Sequence, residues 1–379
     1  MRNKETYNKK KFLIISNYAY SLINVRSHLL LRIKDKGIHV GALAPACTEN
    51  LQNRINKIVD RYIRLRINRS SMNPLSEMVT LFNIILAIFE YKPKNILAVT
   101  IKPIVWSGVA SNFFNLRFTA LITGLGYAFH DSGNMRSVLK YITIYLYRLS
   151  LKNAHSVIFQ NADNMNKFID LNIVKPQVCC LVEGSGVDLN HFEFSKLPKT
   201  KEIIFLCIAR LMSEKGVREY AAAAKHISKT KENIKFVLLG SVYNGPDAID
   251  LKEVGSWISD GFITHIDHTT DVRPYIRSSH VFVLPSYHEG IPRSTLEAMS
   301  MGRPIITTDA VGCKETVIDG VNGKLIPVKS TNMLIDSMIW CTENRDKLDL
   351  MGIESRRIAR ERFDIELINE QMIKAINLC

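Results

Sequence analysis

Short apolar runs alternate along this chain with longer stretches in which apolar residues recur every three or four positions. The runs Lys11–Ser16, Ile38–Ala44 and Ile203–Ile208 predict buried strands. The stretch Val25–Lys36 places its apolar residues on one side of a helix and its basic residues on the other. Because strand and helix patterns follow each other in turn, the chain predicts an α/β protein built on parallel sheets.

The same patterns divide most of the remaining chain into elements. Further strands are predicted at Ile63–Leu65, Ile96–Thr100, Thr119–Thr123, Val157–Gln160, Phe236–Gly240 and Phe262–His265. Further helices are predicted at Pro74–Tyr91, Val105–Phe113, Arg136–Lys152, Asp271–Ser278, Thr331–Asn344 and Glu354–Cys379. No apolar run reaches the roughly 18 residues that span a bilayer, since the longest, Val79–Phe89, has about eleven.

One segment, Val281–Pro327, carries a complete strand–helix–strand pattern. Val281–Leu284 predicts a buried strand, Ser294–Met299 predicts a helix behind a polar loop, and Pro304–Thr308 predicts the next strand. Parallel sheets built from such units bind their ligands at the carboxyl ends of the strands. The loop Ser286–Arg293 is therefore a candidate ligand site.

Two glutamates frame this loop. Glu289 lies on the loop and Glu297 lies one turn into the helix, so that seven residues separate them. Two carboxylates at this spacing can reach different hydroxyl groups of one ligand, and the helix N-terminus between them attracts an anion. The alternatives are an ordinary loop residue for Glu289 and an ordinary helix-start carboxylate for Glu297.

Composition indicates a globular protein of two domains, with 379 residues of which 46% are hydrophobic and 23% charged. The basic start is followed by too short an apolar run for a secretory signal, so a cytoplasmic protein is expected. Seven cysteines without a CxxC pair are expected to be free thiols. The glycines at Gly184 and Gly186 and the polar run Lys196–Lys201 predict the linker between the domains.

The excess positive charge is confined to the first half. Residues 1–190 contain 25 Lys and Arg against 11 Asp and Glu, whereas residues 191–379 contain 25 of each. A basic half-protein indicates an anionic partner, which can be a nucleic acid, an acidic membrane or a phosphorylated substrate. The predicted helix Arg136–Lys152 is aromatic and basic, and it is either a segment that lies against an anionic bilayer or a core helix with a basic outer face.

The segment 288–323, H-E-G-I-P-R-S-T-L-E-A-M-S-M-G-R-P-I-I-T-T-D-A-V-G-C-K-E-T-V-I-D-G-V-N-G, closely resembles the donor-binding core of retaining glycosyltransferases with the GT-B fold, family 4. Their signature is a Glu, seven residues and a second Glu. The resemblance implies two Rossmann-like domains facing across a cleft. Residues 1–190 would bind the acceptor, residues 191–360 would bind a nucleotide-sugar donor, and a final helix within 361–379 would cross back to the first domain.

The resemblance also implies roles for individual residues. Glu289 is expected to be catalytic and to contact the donor sugar, and Glu297 to hold the ribose. Arg210 and Lys215, after the strand Ile203–Ile208, match the Arg and Lys with which these enzymes clamp the donor diphosphate, and such charges stabilise a leaving anion. Since no D-x-D motif is present, neither a metal nor another cofactor is expected. Further donor contacts are expected from Gly290, Ile291, Pro292 and Arg293.

Three residues of the first half are candidates for acceptor binding. Asn17 follows the first strand, where many family 4 enzymes carry a glycine pair that this chain lacks. Lys102 lies in the motif Thr-Ile-Lys-Pro after a predicted strand, and His130 ends the Gly-rich loop 124–130. Ordinary surface and structural roles are the alternatives for Lys102 and His130.

The Thr-Ile-Lys-Pro motif, the loop 124–130 and the motif Glu183–Leu189 resemble bacterial enzymes that extend a sugar on undecaprenyl diphosphate in O-antigen, capsule or glycoprotein glycan assembly. This implies transfer from a UDP-sugar, with an N-acetylhexosamine such as GalNAc as the expected sugar, by a protein peripheral on the inner face of the cell membrane. A non-hydrolysing UDP-sugar epimerase is the alternative. A nucleic-acid-binding protein is disfavoured, because the basic residues are scattered and no zinc, RRM or KH pattern occurs.

Overall fold

The computed structural model describes residues 10–68, 73–125, 134–243, 245 and 247–378, with side chains omitted for 134–138. The chain divides into two compact units, residues 1–185 with 368–379, and residues 186–367. Each unit is built on one parallel sheet with helices on both of its faces, which confirms the predicted fold class.

The first unit contains, within the described residues, a seven-stranded sheet in the order β3-β2-β1-β4-β5-β6-β7. Its strands are β1 (Lys11–Ser16), β2 (His39–Ala44), β3 (Arg61–Arg64), β4 (Asn95–Val99), β5 (Arg117–Ile122), β6 (Ser156–Phe159) and β7 (Cys179–Leu181). Its helices are α1 (Tyr20–Asn24), α2 (Ser27–Asp35), α3 (Glu49–Asn56), α4 (Pro74–Tyr91), α5 (Ile101–Ser111), α6 (Asn134–Leu151) and α7 (Ala162–Asp170).

Two helical layers cover this sheet. Along β1, Leu13 and Ile15 join the core cluster beneath α4 to α7, whereas Phe12 and Ile14 join the cluster beneath α1 to α3. Successive side chains of a strand point to opposite faces, so these two clusters lie on opposite sides of the sheet. A sheet covered on both sides needs apolar residues at every position, which is why β1 is a continuous apolar run.

The second unit contains a six-stranded sheet within the described residues, in the order β10-β9-β8-β11-β12-β13. Its strands are β8 (Ile203–Ile208), β9 (Ile234–Leu239), β10 (Thr264–Ile266), β11 (Val281–Leu284), β12 (Ile305–Thr308) and β13 (Gly323–Ile326). The helices that follow α7 are α8 (Val217–Ile227), α9 (Leu251–Ser259), α10 (Arg273–Ser278), α11 (Arg293–Ser300), α12 (Thr331–Glu343), α13 (Arg345–Arg362) and α14 (Ile365–Ile376).

The helix α14 belongs mainly to the first unit. Its residues Ile368, Met372 and Ile376 are buried in the same cluster as α1 to α3, and Asn95 Nδ2 donates to the carbonyl of Ile376 at 3.3 Å. The chain thus returns to the first unit at residue 368, later than the boundary at 361 expected from the sequence.

The other boundary lies at 185/186, whereas the sequence places it at 190/191. Val187 already belongs to the second unit, because its N–H donates to the carbonyl of Phe363 at 2.8 Å and its carbonyl accepts from Ile365 at 3.0 Å. This bridge also separates α13 from α14. The predicted helical stretch Glu354–Cys379 is therefore divided between the end of α13 and α14. The predicted helix Val25–Lys36 is confirmed by α2, within two residues at each end.

The helix α4 has the predicted bounds, but it is more apolar than its longest uninterrupted run indicates. By length and composition it could cross a membrane, and 28% of it is buried inside the protein. The expectation that no segment reaches this length is therefore wrong for α4. Uncharged polar residues such as Thr80 and Asn83 interrupt its apolar run without making the helix polar.

A buried arginine fastens the linker of the second unit to its core. Arg303 is fully buried, and its guanidinium donates to the carbonyls of Ser279 at 2.7 Å and Met301 at 2.9 Å and to the backbone and hydroxyl of Ser195. Burial lowers the pKa of Arg303 to about 10, so the group stays charged near neutral pH. Its hydrogen bonds compensate for the cost of burying that charge.

We predict that Arg303→Met destabilises the protein by roughly 3 kcal/mol or more, because several buried carbonyls lose their donor at once. Urea denaturation at neutral pH measures the change. Arg277→Met, which alters an exposed arginine nearby, is the matched control and should change stability by less than about 0.5 kcal/mol. A loss below about 1 kcal/mol for Arg303→Met would contradict the role given to this network.

Candidate active site

A cavity of about 350 Å³ lies at the carboxyl ends of the second sheet. It is lined by the ends of β8, β9 and β11, by the loop after β10 and by the start of α11. The strands β8 and β11 are neighbours in the sheet, and the strand order reverses between them. Ligands of open α/β sheets bind outside the strand ends at this switch point.

Lys215 reaches the cavity from the loop after β8. It ends a short 3₁₀ turn, Ser213–Lys215, and is followed by Gly216 with φ +68°. A Cβ atom on Gly216 would lie 2.0 Å from the carbonyl oxygen of Pro285, so only glycine lets the loops after β8 and β11 approach this closely. The close approach brings Lys215 next to Glu289.

Lys215 Nζ and Glu289 Oε1 form an ion pair at 2.5 Å. The two side chains are 17% and 16% exposed, so both are largely withdrawn from water but reach the cavity. Glu289 is also fixed through its backbone, since its N–H donates to the carbonyl of Val311 at 2.9 Å. A Cβ atom on the adjacent Gly312 would lie 2.3 Å from the Glu289 carbonyl oxygen, so three loops hold this carboxylate in place.

Arg210 supplies a second cation at the cavity wall. Its guanidinium lies over the Tyr243 ring, 5.1 Å from the centroid, a contact that restrains a largely exposed side chain. The neighbouring strand ends approach at Gly240, where a Cβ atom would lie 1.7 Å from the Ala209 carbonyl oxygen. Arg210 and Lys215 therefore contribute two positive charges to one cavity.

Glu297 lies behind the cavity wall. It is 9% exposed, and its Oε1 pairs with Arg293 Nε at 2.9 Å, one turn earlier on α11. Burial raises the pKa of Glu297, and the Arg293 guanidinium opposes that rise. Arg293 lines the cavity and Glu297 does not.

Of the other residues expected to contact the donor, some line the cavity and others do not. Pro292 lines the cavity, but it has no N–H group to offer an anion. Ile291 is buried in the core cluster that contains α11, and neither Ile291 nor Gly290 is among the residues that line the cavity. Pro292 can therefore contact a donor, but not through a backbone N–H group.

Residues 202–344, which contain this cavity, match the family model described as Glycosyl transferases group 1. The chain is similar to the N,N'-diacetylbacillosaminyl-diphospho-undecaprenol alpha-1,3-N-acetylgalactosaminyltransferase of Campylobacter jejuni, with 25% identity over 95% of this chain and 96% of the relative. The chain is a glycosyltransferase.

Solved structures identify its fold as GT-B. Sucrose-phosphate synthase from Thermosynechococcus elongatus superposes with a TM-score of 0.80 and 18% identity, covering 97% of this chain and 98% of that one. Anabaena Alr3699/HepE in complex with UDP-glucose superposes with a TM-score of 0.79 and 18% identity, covering 97% of this chain and 100% of that one. At these identities the likeness concerns the fold alone.

The cavity of the glycosyltransferase also contains polar residues that the sequence patterns did not single out. Ser241 follows β9, and Asp267, His268 and Thr269 follow β10. The signal that could have found them is their position, because each comes after a strand of a parallel sheet, where ligands bind. No group of three His, Cys, Asp or Glu that could hold a metal occurs in the part of the chain that the structure describes.

The acceptor candidates of the first unit have different positions. Asn17 follows β1 directly. Lys102 follows β4, as expected, and lies in the first turn of α5, where its ammonium pairs with Glu77 at 2.5 Å and donates to the carbonyl of Asn68 at 2.7 Å. His130 lies outside the described residues.

We predict that Arg293→Met destabilises the glycosyltransferase by about 2 kcal/mol at about pH 8, because a buried carboxylate loses its counter-ion. The folded-state pKa of Glu297 is raised, so ionising it costs stability as pH rises above the ordinary carboxyl range. The loss should therefore shrink by at least about 1 kcal/mol when the pH is lowered to about 5, because a raised pKa favours uptake of a proton by the carboxyl.

Chemical denaturation at both pH values measures this difference. The double variant Arg293→Met/Glu297→Gln is the control. Because it has no carboxylate at position 297, the difference in stability between it and the single variant Glu297→Gln should be the same at both pH values. An equal loss for Arg293→Met at both pH values would contradict the assignment of Glu297 as the destabilised group.

Proposed function

We propose that this glycosyltransferase is a retaining enzyme that transfers a sugar from a UDP-sugar to an undecaprenyl-diphosphate-linked saccharide. An N-acetylhexosamine such as GalNAc is the sugar we propose. The observation that carries the proposal is the joint placement of Arg210, Lys215 and Glu289 in one cavity at the switch point of the second sheet.

A nucleoside diphosphate suits this cavity in size and charge. Its volume of about 350 Å³ falls within the range of small-molecule sites. Two cations at its wall can form charge-assisted hydrogen bonds to phosphate oxygens. The Anabaena protein was solved in complex with UDP-glucose, and the fold that it shares with this chain supports a UDP-sugar here.

The ion pair between Lys215 and Glu289 orients the proposed donor. A diphosphate and the Glu289 carboxylate repel each other, so the phosphates are expected on the side of Lys215 that faces Arg210. The sugar then lies on the Glu289 side, where a carboxylate can accept hydrogen bonds from its hydroxyl groups. Lys215 would stand between two anions and neutralise part of the charge of each.

Glu297 is proposed to hold the ribose from the start of α11. The Glu297 side chain is 12% exposed and its carboxylate pairs with Arg293, so little of it is open to a hydroxyl group of the donor. Arg293 lines the cavity and would contact the donor more directly than Glu297 does.

In the proposed reaction the acceptor hydroxyl attacks the anomeric carbon on the face from which the diphosphate leaves. The new bond joins the acceptor oxygen to that carbon, and the bond between the carbon and the diphosphate oxygen breaks with its electron pair going to the diphosphate. The acceptor proton passes to a phosphate oxygen. Arg210 and Lys215 stabilise the charge that develops there, which is a large contribution in a site sheltered from water.

The proposed acceptor is supported by the charge of the first unit and by the name of a relative. The basic charge of residues 1–190 suits a lipid-linked diphosphate, and the name of the Campylobacter jejuni relative describes a diphospho-undecaprenol acceptor. A protein peripheral on the inner face of the cell membrane follows from such an acceptor. Nucleic acid is not proposed as a partner.

We predict that Lys215→Met and Arg210→Met each weaken UDP binding at least about tenfold, since each removes a charged hydrogen-bond donor. Glu289→Gln should leave UDP binding unchanged or tighter, because it removes an anion and releases Lys215, while transfer falls at least about 100-fold. Calorimetry and a transfer assay measure the two effects. Lys225→Met, an exposed lysine outside the cavity, is the control, and weaker UDP binding by Glu289→Gln would contradict the assigned orientation.

The function itself is tested by incubating the enzyme with a panel of UDP-sugars and undecaprenyl-diphosphate-linked saccharides. Mass spectrometry should detect an acceptor heavier by one sugar and the release of UDP, and NMR should show that the anomeric configuration of the donor is kept. A UDP-sugar that changes configuration without any acceptor would instead indicate an epimerase and reject the proposal.

A further inference from the structure

The helix α4 has two opposite apolar stripes. Thr80, Ile84, Ala87, Ile88 and Tyr91 are buried against the first sheet. On the other side, large apolar side chains stand in solvent, namely Leu75, Met78, Val79, Phe82, Leu86 and Phe89. At about 100° per residue the two stripes point in nearly opposite directions, so the outer one is not part of the core.

The outer stripe is strongly exposed and carries no charge. Leu75 is 72%, Phe82 60% and Phe89 65% exposed. The two acidic residues of α4 are both in ion pairs, Glu77 with Lys102 at 2.5 Å and Glu90 with Arg61 at 3.5 Å. A surface helix normally places polar residues on its outer side, and a contiguous apolar face of this kind marks an interaction site.

The connections of α4 decide how it can meet a membrane. It joins β3 to β4, which belong to the same parallel sheet, and its inner stripe is part of the core beneath that sheet. Crossing a bilayer would remove this stripe from the core and separate the two strands. The helix can therefore meet a membrane only from the side, with its axis in the plane of the surface.

A second apolar stripe lies on the same side of the sheet. The helix α6 exposes Tyr141, Ile142, Tyr145 and Leu149, while its residues Ile144 and Tyr147 join the core cluster that also contains Ile84 and Ile88 of α4. Both helices pack against α5. Since α4 and α6 cover one face of the sheet, their outer stripes both point away from that face.

Exposed basic residues lie close to α4 and α6. Arg64 and Arg66 are exposed on the edge strand β3 and just after it, and the Arg66 carbonyl accepts from Thr80 Oγ1 of α4 at 3.1 Å. Lys92 is exposed immediately after α4, and Lys152 immediately after α6. An apolar face bordered by cations matches a bilayer that has apolar chains beneath anionic headgroups.

We propose that the outer faces of α4 and α6 form a docking surface for an anionic lipid bilayer. Phe82, Phe89 and their neighbours enter the headgroup region, while Arg64, Arg66 and Lys92 contact anionic headgroups. The inference rests on the proposed lipid-linked acceptor, because such a substrate is held in a membrane. The proposal assigns the membrane contact mainly to α4, whereas the sequence pattern indicated membrane contact only for the segment Arg136–Lys152, which forms α6.

The test measures sedimentation of the full-length protein with vesicles of phosphatidylcholine containing about one third phosphatidylglycerol, without donor or acceptor. The protein should bind these vesicles, and Phe82→Gln/Phe89→Gln should bind at least about tenfold more weakly because two large apolar side chains are lost. Arg64→Gln/Arg66→Gln should also bind about tenfold more weakly at low salt, and this difference should nearly vanish at about 0.5 M salt.

Matched variants of the second unit serve as controls. Leu350→Gln/Ile353→Gln removes two exposed apolar side chains from α13, and Lys199→Gln/Lys201→Gln removes two exposed cations. Both should bind vesicles as the unchanged protein does. Thermal unfolding at the same temperature for all variants establishes that the fold is retained.

Two results would overturn the docking surface. One is vesicle binding that Phe82→Gln/Phe89→Gln leaves unchanged. The other is a stable dimer in light scattering that this variant converts to a monomer while vesicle binding persists, which would assign the face to a second copy of the chain.

Transfer to a short-chain acceptor in solution separates this inference from the proposed function. Phe82→Gln/Phe89→Gln should keep that activity and lose transfer to acceptors embedded in vesicles. Vesicle binding that depends on the two phenylalanines, together with no transfer by the unchanged protein to either acceptor, would reject the proposed function and keep the docking surface.

Discussion

The candidate active site depends on one ion pair, between Lys215 and Glu289. The two residues belong to loops after β8 and β11, which adjoin only because the strand order of the second sheet reverses there. Gly216 lets those loops approach within a distance that a Cβ atom would prevent, and Gly312 does the same for the loop after β12 beside Glu289. This ion pair also sets a condition for the proposed donor, which would have to offer Lys215 an anion and Glu289 a hydroxyl group at the same time. A ligand with only one of these groups would leave a largely buried charge without its partner.

The sequence predicted the parts of this site whose signal is local. Lys215 and Glu289 follow apolar strands with correctly predicted bounds, Ile203–Ile208 and Val281–Leu284. The rule that ligands bind at strand ends indicated Glu289, whereas the resemblance to family 4 glycosyltransferases indicated Lys215. The ion pair itself joins residues 74 positions apart, and no local pattern encodes it. Lys102 also follows a strand, and its role in acceptor binding stays a prediction. The sequence did not indicate that a helix begins at Ile101 or that Glu77, which lies on a different helix, holds its ammonium.

The elements that the sequence patterns missed have a common physical cause. The helices α1, α3, α7, α8 and α9 are short and owe their stability to packing, as most helices of this length do. The strand β7 has three residues, none of them fully buried, so it lacks the apolar run that marks an inner strand. The buried guanidinium of Arg303 is likewise visible only in three dimensions, since its hydrogen bonds reach Ser195 and Ser279 as well as its own turn.

Charge and hydrophobicity divide between the two units in a consistent way. The cavity proposed to bind the donor lies in the unit whose acidic and basic residues balance, and the proposal assigns binding there to the local charges of Arg210, Lys215 and Glu289. In the basic unit the charge is spread over many exposed residues, which attracts an extended anionic surface better than it selects one small ligand. The outer stripe of α4 adds membrane binding that salt does not screen, because apolar burial persists at salt concentrations that screen exposed cations. A surface that combines the two holds a protein at a membrane reversibly, so an enzyme with such a surface can reach lipid-linked acceptors and still exchange its water-soluble donor.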